Sequence, residues 1–233
     1  MPTSRSVNKL QATPDGRRQP TQARAQQTIQ TLFKAAAQIL DKEGETGLTT
    51  NKVAAAAGFS IGTLYQYFPS KEMLVRAMAA RGQDLVLKEL EGYLRELETR
   101  NDVQQMDGRE LLGKAIQILL QGFAKGKGLS QTLIRLGWTL EKPDETANAV
   151  RQVADRLAVF FERIDHPALQ TPSTAQMFVL TRSVIGTLRS ASLEKSPLLG
   201  SPAFEEALTQ MAWALLARQA QTAGLGLGAR PIR

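Results

Sequence analysis

The chain has 233 residues, 42% of them hydrophobic and none of them cysteine; that supports a real core and removes disulfide frameworks, thiolate zinc sites and a cysteine nucleophile. Its net charge of +7 is uneven: residues 1–81 hold 11 Lys/Arg against 5 Asp/Glu, and the remaining 152 hold 18 against 17. A basic first third on a neutral body is the electrostatic footprint of a protein with a polyanionic partner.

Residues 1–28 are polar and Arg-rich, unlike a secretory leader, and no uncharged apolar run approaches the ~18 residues of a membrane span. A cytoplasmic protein is expected. Residues 1–20 carry Pro2, Pro14, Pro20 and Gly16 among few apolar residues, and read as a flexible basic arm. From Thr21 the pattern turns helical, with Ile29, Leu32, Phe33, Ala36 and Leu40 on one face. Gly44 and Gly47 stop that helix. Thr49 is placed to cap a short Ala-rich helix, Thr50–Ala57, which ends at Gly58. Ser60 opens a third helix, Ile61–Tyr67, and Pro69 closes it. Ser70 caps a long fourth helix, about 71–100, striped with Leu90, Tyr93, Leu94 and Leu97.

Further helices follow with short polar breaks: from Asp107, with Glu110 three residues on as in a capping box, to about Ala124; Ser130 to about Leu140; Pro143 to about Ile164; Ser173 to about Leu193; and Pro202 to about Thr222. Residues 223–233 are Gly-rich and read as a frayed tail. The pattern predicts an all-α protein of about nine helices: a three-helix N-terminal domain over 21–70 and a six-helix bundle over 71–222, with helix 71–100 as connector. Helices 173–193 and 202–222 are apolar on more than one face, which calls for burial on more than one side and predicts a homodimer through these two helices.

Within 49–68, two short helices joined by a tight Gly-containing turn form a helix-turn-helix. Val53, Leu64 and Phe68 are placed to lock the pair. Ser60, Gly62, Thr63 and Tyr67 then face outward, where small residues permit close approach and hydroxyls meet phosphates or base edges. Helix N-termini add free N–H groups for phosphate. The stretch from Gly47 to Leu74, with its Leu-Thr-Thr opening, Gly-Phe-Ser turn, Gly-Thr-Leu-Tyr-Gln-Tyr-Phe and Ser-Lys-Glu-Met-Leu, resembles the tetracycline-repressor (TetR) family over about residues 24–85.

The resemblance implies a dimeric, sequence-specific transcriptional regulator. It would act as a repressor on a double-stranded operator with an inverted repeat, and a small-molecule effector would release it. Position by position, Thr49, Thr50 and Asn51 would meet phosphate and an outer base. Ile61, Gly62 and Thr63 would face base edges beside Ser60, and Tyr65 and Tyr67 would reach the backbone. Lys71 would bind a phosphate. Arg17, Arg18 and Arg24 are candidate arm contacts on charge alone. Phe123, Leu133, Trp138, Phe160, Phe161 and Met177 are large apolar residues on the middle helices and candidate effector-pocket walls, against the plainer reading as core. The competing class is a helical adaptor whose basic face binds an acidic protein. Catalysis is not expected: the sole histidine, His166, lacks a partner constellation, and no Gly-rich phosphate loop, Gly-x-Ser-x-Gly elbow or His-Glu-x-x-His is present. No metal and no cofactor are expected.

Overall fold

The computed structural model describes residues 18–124 and 131–218. The described residues are all-helical: α1 (Arg18–Gly47), α2 (Thr50–Ala57), α3 (Ile61–Tyr67), α4 (Lys71–Thr99), α5 (Gly108–Ala124), α6 (Gln131–Leu140), α7 (Pro143–Arg163), α8 (Thr174–Leu193) and α9 (Pro202–Leu216), with one 3-10 turn at Val103–Gln105. They fall into two compact units that part between Leu74 and Val75, within α4.

In the first unit α2 packs on α1 and on α3. The apolar face of α1 supplies Leu32, Ala36 and Leu40, while Val53 from α2, Leu64 from α3 and Phe68 close the core, all buried. Phe33 and Phe68 stack tilted at 5.6 Å between ring centroids. Val53 and Leu64 are fully excluded from solvent, so the angle between α2 and α3 is set by close packing and not by the turn alone.

One boundary of α1 differs from the sequence expectation and the other agrees with it. Composition predicts an arm over 1–20, yet Arg18–Pro20 already belong to α1; Pro20 falls in the first turn, where a helix needs no N–H from it. At the other end α1 is broken at Gly44 (φ 71°, ψ −167°) and ends at Gly47, the two glycines expected to stop it.

In the second unit α8 is central and packs against α5, α6, α7 and α9, while α5 lies along α9. Ser173 and Gln176 form a reciprocal capping box that starts α8. Asp107 Oδ1 accepts from the Arg109 and Glu110 N–H groups at the start of α5. The last helix, expected to reach Thr222, ends at Leu216. Ala217 turns extended, and the 166–170 loop captures the chain there: Gln170 N–H donates to the Leu216 carbonyl at 2.9 Å and Arg218 N–H to the Ala168 carbonyl at 2.8 Å.

His166, 2% exposed, anchors that loop. Its Nε2 lies 3.0 Å from the Met106 carbonyl and its Nδ1 accepts from the Ala168 N–H at 3.1 Å. A carbonyl on one side and an N–H on the other select the neutral Nε2–H tautomer. Both ring nitrogens are occupied by backbone, so the lone histidine is a structural residue.

Candidate functional site

Local chemistry places the helix-turn-helix. Thr49 is extended and its hydroxyl accepts from the Lys52 N–H, capping α2. Gly58 ends α2 in the left-handed region (φ 73°, ψ 24°), and the Phe59 N–H returns to the Ala54 carbonyl at 2.9 Å. A side chain at position 58 would be strained by that φ whatever the space around it. Ser60 caps α3: its Oγ accepts from the Thr63 N–H at 3.1 Å and lies 2.9 Å from the Thr63 hydroxyl.

With Leu64 fully buried beneath α3, a 100° step per residue puts Gly62 and Gln66 at the centre of the opposite, outward face. Thr63 and Tyr65 flank them. Gly62, Gln66, Ser60 and Ile61 are exposed and Thr63 and Tyr67 half-buried. The chain itself does not demand glycine at 62: a Cβ there would meet only Ser60 Oγ, at 3.7 Å.

Tyr65 is 48% exposed, and its hydroxyl lies 3.2 Å from that of Thr50. The start of α2 and the side of α3 thus bring two of the expected contacts into one hydroxyl pair. Asn51 is exposed. Lys52, also exposed, is ion-paired with Glu43 of α1.

At the start of α4 the Ser70 hydroxyl accepts from the Met73 N–H at 3.2 Å, and Lys71 is half-exposed beside it. The Glu72 carboxyl is held below the usual carboxylate range by its own backbone N–H and then by the Ser70 hydroxyl. Arg24 is exposed on α1. Arg17 and the side chains of Arg18 and Phe123 lie outside the described residues.

Gln66 was not among the residues singled out from sequence. Its signal was available: it stands four residues after Gly62, on the same helical face.

The second unit contains an apolar cavity of ≈ 80 Å³, walled by α4, α5, α7, α8 and α9. Phe160 and Phe161 line it, with their rings edge-to-face at 5.3 Å. The other described pocket candidates do not. Trp138 borders a smaller space with Val86 and Gly122. Leu133 and Met177 are buried and absent from the cavity wall.

Tyr93 reaches the cavity from α4, and its hydroxyl donates to the Leu111 carbonyl at 3.1 Å. Burial pushes this phenol up to about 12. Among the described residues no group of His, Asp or Glu could hold a metal ion, and no helix is long and apolar enough to cross a membrane.

A capped pair of short helices at a fixed angle, with a small and polar outward face, defines the first unit as a helix-turn-helix DNA-binding domain. Residues 32–78 match the family described as bacterial regulatory proteins, tetR family. Over those residues the first unit is similar to the DNA-binding domain of that family of transcription regulators.

One relative, the nucleoid occlusion factor SlmA of Glaesserella parasuis serovar 5 (strain SH0165), is 31% identical over 143 residues; the match spans 61% of this chain and 61% of that protein. Among solved structures, NalD, the secondary repressor of the MexAB-OprM multidrug efflux pump in Pseudomonas aeruginosa, shares the fold at a TM-score of 0.54 and 16% identity, covering 84% of this chain and 100% of that one. FadR from Bacillus subtilis, in complex with stearoyl-CoA, aligns at a TM-score of 0.54 and 14% identity, covering 79% and 97%.

Proposed function

We propose that the chain is a dimeric repressor that reads an inverted-repeat operator with α3 and is released by a small molecule in the apolar cavity of its second unit. The observation that carries the reading is the outward face of α3. Gly62 lets the helix backbone approach a groove. Gln66 presents an amide one turn later, at the spacing of a base-edge reader. Thr63 and Ser60 supply hydroxyls to the same face. The Thr50–Tyr65 pair, Thr49, Asn51, Tyr67 and Lys71 surround it as backbone contacts, and Ile61 reads by apolar contact with a thymine methyl. Arg17, Arg18 and Arg24 add charge near the duplex.

Dimerisation is supported by α8, whose Phe178 (57% exposed) and Val179 remain uncovered while Met177 and Leu180 on the same helix are buried. The Arg182 guanidinium lies 4.3 Å over the Phe178 ring, leaving an amphipathic patch of the kind found at subunit contacts. A two-fold protein reads two-fold DNA. In this reading residues 21–70 bind DNA and 71–222 sense the ligand and dimerise, with helix 71–100 as connector. Release works by population shift: an effector that favours the conformation unable to dock lowers DNA affinity by the same coupling free energy. NalD as a repressor and FadR in complex with stearoyl-CoA are family precedents for repression and for ligand binding. The chain would act in the cytoplasm, on the chromosome.

The test is fluorescence anisotropy of the duplex upstream of its own coding sequence, at two salt concentrations, with random duplex as control. Specific, salt-sensitive binding at two chains per site supports the reading. No preference over random DNA, followed by failure to select any site from a random library, sinks it and leaves the helical adaptor.

A further inference from the structure

The hydroxyls of Thr50, the first residue of α2, and Tyr65, on α3, lie 3.2 Å apart. Neither has a second hydrogen-bond partner among the described residues. Each hydroxyl carries one proton. The bond between them uses one of the two, so the pair offers a single proton outward. The fold does not need this bond. Val53 and Leu64 are fully excluded from solvent and α2 packs on α3 through them. An exposed hydroxyl pair only exchanges a bond to water for a bond within the protein, which adds little stability.

Donor strength decides which proton is left. A phenol is the more acidic hydroxyl and the stronger donor, and conjugation with the ring makes its oxygen the weaker acceptor. The internal bond therefore runs from Tyr65 Oη to Thr50 Oγ1, and the free proton belongs to Thr50. Accepting from the phenol polarises the Thr50 hydroxyl and strengthens it as a donor in turn. A phosphate oxygen only accepts, so it must take the one proton that the pair has left.

Resting on the DNA-binding reading of this face, we propose that Thr50 and Tyr65 act on the duplex as one hydrogen-bonded unit. Thr50 donates to a phosphate oxygen. Tyr65 is a positioning residue: its phenol aims and polarises the Thr50 hydroxyl and makes no hydrogen bond of its own to DNA. The grip of α2 on the backbone and the seating of α3 are joined through this bond.

The experiment uses the full chain, with Thr50→Val, Tyr65→Phe, the double variant and Thr50→Ser, each checked for folding by thermal melting. In the DNA-free protein, the intensity ratio of the tyrosine Fermi doublet in the Raman spectrum tells a donating phenol from an accepting one. Subtracting each Tyr65→Phe spectrum from its parent removes the signals of Tyr67 and Tyr93. A donor-type doublet is expected for Tyr65, and Thr50→Val is expected to move it to that of a hydrated phenol. On a random-sequence duplex, read by anisotropy, Thr50→Val is expected to weaken binding about tenfold and Thr50→Ser less than about twofold. Tyr65→Phe is expected to weaken binding about threefold in the wild-type background and not at all beside Thr50→Val. The salt slope should stay unchanged throughout, because no cation is removed.

An acceptor-type doublet, or one that Thr50→Val leaves unmoved, overturns the proposal. So does a Tyr65→Phe loss of the same size in both backgrounds, which would give the phenol a phosphate of its own. A shallower salt slope in Tyr65→Phe would mark a displaced helix and a merely structural tyrosine, and overturns it as well. Wild-type binding to random duplex that none of the variants weakens removes the pair's role and leaves the DNA-binding reading standing. A wild-type chain that binds no duplex defeats that reading, and the role of the pair falls with it, whatever the doublet shows.

Discussion

Gly62 separates what the fold needs from what a partner needs. A Cβ at 62 would touch only Ser60 Oγ, at ordinary contact distance, so Gly62→Ala should raise thermal stability slightly, by about 0.5–1 kcal/mol as expected for a helical glycine. If α3 lies in a groove, the same methyl should weaken operator binding. Paired melting and anisotropy measurements decide it, and a variant that binds normally would take Gly62 out of the interface. Gln66 is argued from the same face: Gln66→Ala should cost about 1–3 kcal/mol of discrimination between operator and random duplex while leaving random-duplex affinity nearly unchanged. Equal losses on both duplexes would make Gln66 a backbone contact.

The caps around this face were legible in the sequence because each is a local event: Thr49, Gly58 and Ser60 act within three or four residues of themselves. Gln66 is equally legible, since it stands four residues after Gly62 on the same helical face. The cavity was not legible. Its walls come from five helices, and nothing local tells Phe160, which lines it, from Leu133, which does not.

At the scale of elements, α4 is held in two contrasting ways within the second unit. Against α5 and α6 the contact is close. A Cβ on Gly122 would fall 2.1 Å from Val86 Cγ2, and one on Gly137 would fall 2.6 Å from Ala79 Cβ. Against α7 the seam is bridged by long side chains: Arg76 to Glu145 at 2.5 Å, Glu91 to Arg156, and Glu98 to Arg163 at 3.9 Å. The Arg76 guanidinium holds the Glu145 carboxyl below the usual carboxylate range. These exposed pairs add little stability each.

Gly137→Ala should therefore destabilise the chain by about 1–3 kcal/mol, the usual cost of overpacking. Gly92→Ala, on the same α4 with nothing within 4 Å, should stabilise it by about 0.5–1 kcal/mol. Urea denaturation of both variants makes the comparison, and equal effects would show that the close seam relaxes freely. The helices themselves were readable from periodicity and punctuation. The end of α9 was not, because the 166–170 loop that stops it is distant in sequence.

For the whole molecule, Tyr93 ties the cavity to the pH range over which the fold persists. The phenol is half-buried and its folded pKa is raised from 10.0 to about 12, first by burial and then by Glu96, with Arg100 opposing. The neutral phenol donates to the Leu111 carbonyl, and a phenolate would face that oxygen with no proton to offer. Below pH ~10 both folded and unfolded chains keep the proton, and Tyr93 contributes no pH dependence. Between 10 and about 12 the unfolded chain ionises first, so it binds fewer protons than the folded one and stability falls as pH rises through that window. Urea denaturation at pH 9 and pH 11 should show this loss, and Tyr93→Phe should show less of it. The ultraviolet difference titration between the two proteins should place the missing phenol near 12. A midpoint near 10 would mean that the α4–α5 side of the cavity opens to water in solution, and a dry effector site would then be untenable in the free protein.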